Sequence, residues 1–358
     1  MLVKVCSLDP FTGLAVTKNQ AGFESSKMNS LIDTHNRRIN YLRISITDRC
    51  NLRCRYCMPK EGVSEFGHSE ILSYEEILRL AALAVKRGIN KVRITGGEPL
   101  VRKDVIHLIR EISRLEGIRD LSMTTNAILL SDFAQELFRA GLKRVNISMD
   151  SLDPQRYREI TRGGDLNRVW AGIDAARRMG ISPIKINVVA IVGFNDREIE
   201  DFARLTIREP FQVRFIEYMP IGLLNEWKPE HCISCQEIKE RIENISPLVP
   251  LEEGGNGHGG PARLFKFSGA AGEIGFISPV SDHFCHSCNR LRLTSDGKLK
   301  TCLFSEELTD LKILLRSGAS DQELEKKLDE ALRNKPLHHG PIGGVMKRCH
   351  LPMVKIGG

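Results

Sequence analysis

Aromatic residues are scarce in this chain, at 6% of positions with only two tryptophans. Binding of single-stranded nucleic acid draws on aromatic platforms beside basic residues. No such stripe is present, so nucleic acid is set aside as a partner. No apolar run approaches the roughly 18 residues of a membrane span, which sets aside a membrane role. The first 36 residues contain no arginine and lack the basic start and apolar core of a secretory signal. Neither export nor a mitochondrial-type presequence is expected, and a cytoplasmic protein with reduced thiols follows. Internal repeats are also lacking.

The chain has 358 residues, 41% of them hydrophobic and 27% charged, enough for a soluble large α/β domain with an appendage. A formal net charge of +7 fits ordinary solubility or an anionic ligand. The ten cysteines stand at 6, 50, 54, 57, 232, 235, 285, 288, 302 and 349. Eight are clustered, and in a reducing compartment clustered cysteines read as metal ligands before disulfides.

Residues 1–36 are polar and weakly patterned, which predicts a mobile arm. From Tyr41 strands and helices alternate. Strands are expected at 41–47, 91–95, 120–125, 144–148, at 184–192 as a long buried strand, and at 212–218. The helices expected between them cover 74–87 (Ser73 as N-cap, Gly88 as stop), 101–115, 132–140, 154–160, 166–179 and 198–207. Six alternations imply a parallel sheet with right-handed crossovers. Polar or glycine-rich clusters follow nearly every strand: the cysteines, Gly96-Gly97-Glu98, Thr124-Thr125-Asn126, then Ser148 and Asp150. A barrel gathers such strand ends on one face, so the expected fold is an incomplete (β/α)6 TIM-type barrel over 37–225. Residues 226–358 form a C-terminal extension, with a flexible loop at 253–260, a short hairpin at 264–277 and one charged helix near 320–334.

Cys50, Cys54 and Cys57 follow the first strand. Thiolates hold iron–sulfur clusters, four for a fully ligated four-iron cluster. Three would leave one iron open, and an open position distinguishes a catalytic metal site. A zinc site completed by a distant residue is the alternative. Cys285, Cys288 and Cys302 form a second set of three. Cys232 and Cys235 could pair with Cys285 and Cys288 as a zinc site, but the gap is long and Cys302 is left over. Arg290 and Arg292, two apart, would face the same way on a strand. His338 and His339 read more simply as a solvated loop than as ligands, and Cys6 and Cys349 as free thiols.

The run TDRCNLRCRYCMP (47–59) with RITGGEP (93–99) resembles the radical S-adenosylmethionine (SAM) superfamily. With FCHSCNRLRLTSDGKLKTCLF (284–304) and the terminal Gly357-Gly358, it resembles the GTP 3′,8-cyclase family, which begins molybdenum cofactor synthesis. The resemblance covers roughly 33–358 and implies two four-iron four-sulfur clusters at opposite ends of the barrel, one on each cysteine set. SAM would bind the open iron of the first, with contacts from Tyr56, Gly97, Ser148 and Met219. GTP would be held by Arg43, Arg93, Thr124, Lys185, Arg290 and Arg292, its guanine reaching the second cluster. SAM cleavage would yield a radical that takes the ribose C3′ hydrogen, and the sugar carbon would close on guanine C8. The glycine tail would reach in beside the substrate. The resemblance also implies a protein reductant, a cyclic pyranopterin monophosphate synthase downstream, and leaves a homodimer open. Two departures stand out: Ala127 replaces a glycine of the family's Thr-Thr-Asn-Gly, and His35-Asn36-Arg37 replaces Phe-Gly-Arg at the entry, which matters little if that entry is exposed. The rival readings are another two-cluster radical SAM enzyme, such as a peptide maturase, and a non-catalytic zinc or nucleic-acid-binding protein.

Overall fold

A computed structural model describes residues 30–222, 227–251, 260–339 and 349–357. Six strands, β1 (Tyr41–Ser45), β2 (Lys91–Thr95), β3 (Asp120–Thr125), β4 (Arg144–Ser148), β5 (Ile184–Ala190) and β6 (Gln212–Glu217), pair in parallel in chain order. Each alternates apolar and polar residues. The apolar set (Ile44, Ile94, Met123, Ile147, Ile186, Phe215) is fully buried, and helices connect each strand to the next. At roughly 1.5–3 kcal/mol for each large side chain withdrawn from water, this outer layer carries most of the stability. The polar set faces the interior of the curved sheet.

Residues after the sixth strand add to both edges of that sheet. They supply β7 (Leu248–Pro250), β8 (Arg263–Phe267), β9 (Glu273–Ile277), β10 (Arg290–Leu293), β11 (Lys298–Lys300) and β12 (Thr309–Asp310). The sheet runs β12-β11-β10-β1-β2-β3-β4-β5-β6-β9-β8-β7 and stays open, so the barrel is incomplete as expected. β10 pairs parallel with β1, and β9 pairs parallel with β6. The expected hairpin is the antiparallel β8–β9 pair, and the charged helix is Asp321–Arg333.

Local signals explain several boundaries. Helix Tyr74–Lys86 starts at a capping box of Ser73 and Glu76 and buries Ile77, Leu80, Ala81 and Ala84. Three expectations change. The helix expected at 101–115 is a short 3-10 turn, Pro99–Val101, followed by helix Val105–Ser113. Between them Arg102 turns its guanidinium back onto the Ile46 and Leu72 carbonyls, and Asp104 takes a left-handed φ of 59°. β5 ends at Ala190 and alternates buried and half-buried residues instead of being buried throughout, because its second face lines the interior. The third concerns residues 30–36. They belong to the fold: Leu31 is buried in the core and pairs through its backbone with Arg87 and Ile39. Most of the expected loop at 253–260 and of the N-terminal arm, with Cys6, lie outside the described residues. Among the described residues no helix is long and apolar enough to cross a membrane.

Candidate active site

The first thiolate loop leaves β1 and is stitched to the loop after β2. Gly97 N donates to Thr47 O at 2.7 Å, and Glu98 N donates to Arg49 O at 2.8 Å. A Cβ on Gly97 would lie 2.2 Å from the Arg49 carbonyl oxygen, so only glycine permits this approach. Backbone N–H groups of Cys57 and Met58 close a turn on Cys54 O. Leu52 N donates to Cys50 Sγ at 3.4 Å, and Asn126 ties the loop down through Asn51 Oδ1 at 2.7 Å. Tyr56 donates its hydroxyl to Asp150 Oδ2 at 2.7 Å. Burial pushes the Cys50 thiol up to about 11, with Glu98 adding to it, and Cys57 up to about 12. Cys54 rises well above its ordinary value through burial, then Cys57 and Asp150. Burial also raises Glu98 to about 7 and Asp150 to about 6.

The second set lies in opposite surroundings. Burial alone would raise Cys288, but Arg290 and Lys335 outweigh it and bring the thiol down to about 6. Cys302 is lowered too, its burial outweighed by His339 and the Phe304 backbone. The entry is not exposed at Arg37, which is buried and central. It pairs with Asp33 at 2.6 Å, and donates to Cys285 O at 2.8 Å, Leu337 O at 3.0 Å and Pro336 O at 2.7 Å. Its neighbour Asn36, where the resembling family has glycine, keeps a positive φ of 60°, which asparagine tolerates. His339, expected in a solvated loop, lies with Nδ1 3.0 Å from Cys285 Sγ and Nε2 2.8 Å from Pro279 O. Burial would lower its imidazole, yet contacts with Cys285, Cys302 and Pro279 O push it up to about 10.

Between the two sets runs a band of cations fixed by strand register. Arg292, Arg43, Arg93, Ser122 and Arg144 lie in lateral register across β10, β1, β2, β3 and β4. One step along, Thr124, Asn146 and Lys185 are in register, and Asn187 matches Arg214. These positions share the inner face because strand residues two apart do. Burial lowers Arg43 to about 9, with Arg292 adding to it, and Arg93 to about 10. Lys185 falls to about 6 through burial, then Arg214. Thr124 Oγ1, Asn187 Oδ1 and Arg214 Nε are buried with no hydrogen-bond partner, which suits an interior built to receive polar ligand atoms.

One cavity contains nearly all of this. Its walls include the six thiols of the two sets, Tyr56, Gly97, Ser148, Met219, Thr124, Arg43, Arg93, Arg290 and Arg292. Lys185 shares the inner face but is not among the wall residues. Composition and motif spacing did not single out Asn187, Arg214 or Lys335, which also form the wall with Arg37, Asp150 and His339; Asp150 was noted at a strand end, and Arg37 and His339 were noted without a site role. The tail enters the same space. Val354 lies 2.9 Å from where a Gly97 Cβ would be, and Gly357 O accepts from Arg292 at 2.8 Å and Arg43 at 3.5 Å. Gly357 has φ 73°, and a Cβ there would lie 2.6 Å from Thr95 Oγ1. Gly358 lies outside the described residues. Cys232 and Cys235 are elsewhere, bonded to the Tyr218 and Ile277 carbonyls. Among the described residues no three His, Cys, Asp or Glu side chains converge tightly enough for a single metal ion. The donor chemistry, three thiols per set with backbone or side-chain donors on the sulfurs, suits a multi-iron cluster at each set.

Residues 44–206 match the Radical SAM superfamily and residues 211–341 match Molybdenum Cofactor Synthesis C. The fold resembles Streptococcus suis SuiB bound to S-adenosylmethionine, with a TM-score of 0.58, 17% identity, and 86% of this chain and 68% of that chain covered. By fold and family match this is a radical SAM protein. It is 54% identical to the GTP 3′,8-cyclase of Thermodesulfovibrio yellowstonii, covering 85% of this chain and 94% of that one. Identity with the GTP 3′,8-cyclase of Alkaliphilus metalliredigens is 49%, covering 91% and 99%. The chain belongs to the GTP 3′,8-cyclase family.

Proposed function

We propose that this chain converts GTP to (8S)-3′,8-cyclo-7,8-dihydroguanosine 5′-triphosphate, the first step of molybdenum cofactor synthesis. The observation that carries the reading is the arginine band between two three-thiol sets in one cavity: Arg43 and Arg292 are in direct register, with Arg93 beside them. A peptide substrate does not call for such a band, whereas guanidinium matches phosphate in bidentate fashion.

Cys50, Cys54 and Cys57 would hold one four-iron cluster, and Cys285, Cys288 and Cys302 a second. Together with SAM, the first supplies the one-electron chemistry that generates the hydrogen-abstracting radical. The chain's own residues position and exclude. Tyr56, Gly97, Ser148 and Met219 form the SAM end. Arg43, Arg93, Thr124, Lys185, Arg290 and Arg292 take the nucleotide, so that the ribose is presented towards the SAM end and the base towards the second set. Holding two reactants in register replaces a bimolecular encounter. The tail, through Gly357, would fill space beside the ribose and keep water and stray hydrogen donors away. A protein reductant would serve the first set, and a cyclic pyranopterin monophosphate synthase would take the product. A reducing, cytoplasmic setting would keep the six thiols of the two sets available as ligands.

The deciding experiment is anaerobic incubation of the reconstituted protein with GTP, SAM and dithionite, followed by chemical identification of the nucleotide product. The cyclised triphosphate is expected. Formation of 5′-deoxyadenosine with GTP left intact would overturn the reading and favour the peptide-maturase alternative.

A further inference from the structure

Lys335 is 2% exposed, and a buried ammonium is costly unless its charge and donors are met. Its Nζ donates to Arg290 O at 3.1 Å, to Thr301 O at 2.5 Å and to Cys288 Sγ at 3.6 Å. Three donors meet three acceptors, all on the chain segments that carry Cys288 and Cys302. Two of those acceptors are neutral carbonyls, which a neutral amide could also satisfy. A simple brace therefore has no need of the charge. The third acceptor, Cys288 Sγ, is the one that carries charge as a thiolate, and among the described residues Lys335 makes no ion pair with a carboxylate. The thiols alone give a buried cation a reason to be there.

His339 repeats the arrangement on the other side. Its ring stacks on Phe304 with centroids 4.4 Å apart. Pro279 O has no hydrogen to give, so Nε2 at 2.8 Å must donate, which fixes the ring with Nδ1 3.0 Å from Cys285 Sγ. At the first set, hydrogen bonds to Cys50 Sγ come from neutral groups, the Leu52 N–H and the Asn126 amide. The carboxylates Asp150 and Glu98 stand beside that set, with the cation Arg53 acting on Cys50.

We propose that Lys335 and His339 are positioning residues that hold the sulfurs of Cys288 and Cys285 and set the reduction potential of the second cluster above that of the first. The proposal rests on the reading that the second set carries a cluster. Hydrogen bonds and positive charge at cluster sulfurs favour the reduced, more negative state. Carboxylates beside the first set disfavour it. The asymmetry leaves the first cluster as the stronger reductant, which reductive cleavage of SAM requires.

The test is a redox titration of the holoenzyme followed by electron paramagnetic resonance. The spectral change caused by SAM marks the first cluster. Lys335→Met should lower the potential of the second cluster by at least about 59 mV, a tenfold shift in a one-electron equilibrium. Iron and sulfide content and the first potential should stay at their wild-type values, and Lys335→Arg should restore most of the loss. An unchanged second potential in fully loaded Lys335→Met overturns the proposal. If that variant loses the second cluster, His339→Phe decides, since it keeps the stack on Phe304 and removes both nitrogens. A lowered second potential supports the proposal, and an unchanged one overturns it. Iron analysis of the wild type comes first. Iron for one cluster only would overturn the two-cluster reading itself, and this proposal with it.

Discussion

Cys50, Cys54 and Cys57 share their end of the cavity with Asp150 and Glu98, whereas Cys285, Cys288 and Cys302 share theirs with Arg37, Arg290, Lys335 and His339. The side-chain inventory is the same, three thiols, and the surroundings push it in opposite directions. Cys57 goes up to about 12, chiefly through burial, and Cys288 comes down to about 6. Cysteine spacing alone cannot distinguish two such sets: Arg290 lies two residues from Cys288, but the other charges that separate them come from elsewhere in the chain. Arg37 precedes the first strand, and Lys335 follows the last long helix. The tail touches the first end through Val354 and the arginine band through Gly357, so it runs between the ends.

The sharpest way to break this comparison is to remove one thiol at a time. Cys54→Ala should abolish reductive SAM cleavage, since no other thiol in that loop replaces it, while iron on the second set persists. Detectable 5′-deoxyadenosine from the dithionite-reduced variant would put the first cluster elsewhere. Cys288→Ser should do the reverse: the first cluster and some SAM cleavage survive, and GTP cyclisation is lost. Equal loss of both activities and both clusters would mean that the two ends assemble as one unit.

Between the ends, Arg292→Ala should weaken GTP binding by about 1.5–3 kcal/mol, the range for hydrogen bonds to charged groups. Guanosine, which lacks phosphates, should be nearly indifferent. Arg292 also holds the Gly357 carbonyl at 2.8 Å, and this makes the guanosine arm informative. Calorimetry showing an equal loss for guanosine would mean that Arg292 acts through the tail and not on the triphosphate.

Much of this was legible because the chemistry is local in sequence. The cysteine spacings, the Gly96-Gly97-Glu98 run and the Arg290/Arg292 pair are each set within a few residues. Strands β2, β3 and β4 fall on the expected residues, because short alternating runs bounded by turns leave little freedom. The interior was harder. Arg144, Asn146, Asn187 and Arg214 occupy polar positions of the same alternation, yet a polar residue in a strand faces solvent in most sheets and a cavity only where the sheet curls. His339 reads as solvated, and Arg37 as incidental, for a related reason. A polar segment near a chain end reads as exposed until its tertiary partners, here Cys285 and the Pro336–Leu337 backbone, are known. The C-terminal region was expected as an appendage, and its β9 and β10 instead continue the parallel sheet at both edges, a pairing at long sequence separation.

Lys185 gives a smaller, pH-dependent effect on the band. Burial and Arg214 lower it to about 6, so in the free protein it is neutral near pH 8. A phosphate brought close favours the charged form and raises that value. The complex then binds more protons than the free protein, so GTP affinity should fall as pH rises above 6, with a slope of up to about one log unit per pH unit. Measurement at pH 7.5–9 avoids most of the titration of the phosphate itself, whose second ionisation lies near pH 6. Calorimetry in buffers of different ionisation enthalpy should register uptake of up to one proton, absent in Lys185→Met. Wild type showing no uptake would place Lys185 away from the triphosphate.

The smallest effect concerns the turn that braces the first thiolate loop. Asn126 N donates to Glu98 Oε2 at 2.7 Å, and its amide reaches Asn51 and Cys50. The next residue, Ala127, stands where the resembling family has glycine, and it keeps the glycine-like conformation, with φ 64° and no exposure. A left-handed alanine costs roughly 1–2 kcal/mol. Ala127→Gly relieves that strain, but it loosens the unfolded chain by about 0.4–1 kcal/mol and removes a buried methyl worth about 0.8 kcal/mol. These terms nearly cancel, so the substitution should change the stability of the cluster-free protein by less than about 1 kcal/mol. Ala127→Val adds a β-branched side chain in the same disfavoured region, with its Cβ already packed in the core, and should cost more than about 2 kcal/mol through strain and overpacking. Urea denaturation of the three proteins under reducing conditions checks both. A gain above 2 kcal/mol in Ala127→Gly would show that the alanine strains the turn, and with it the seating of Cys50, far more than the packing around it suggests.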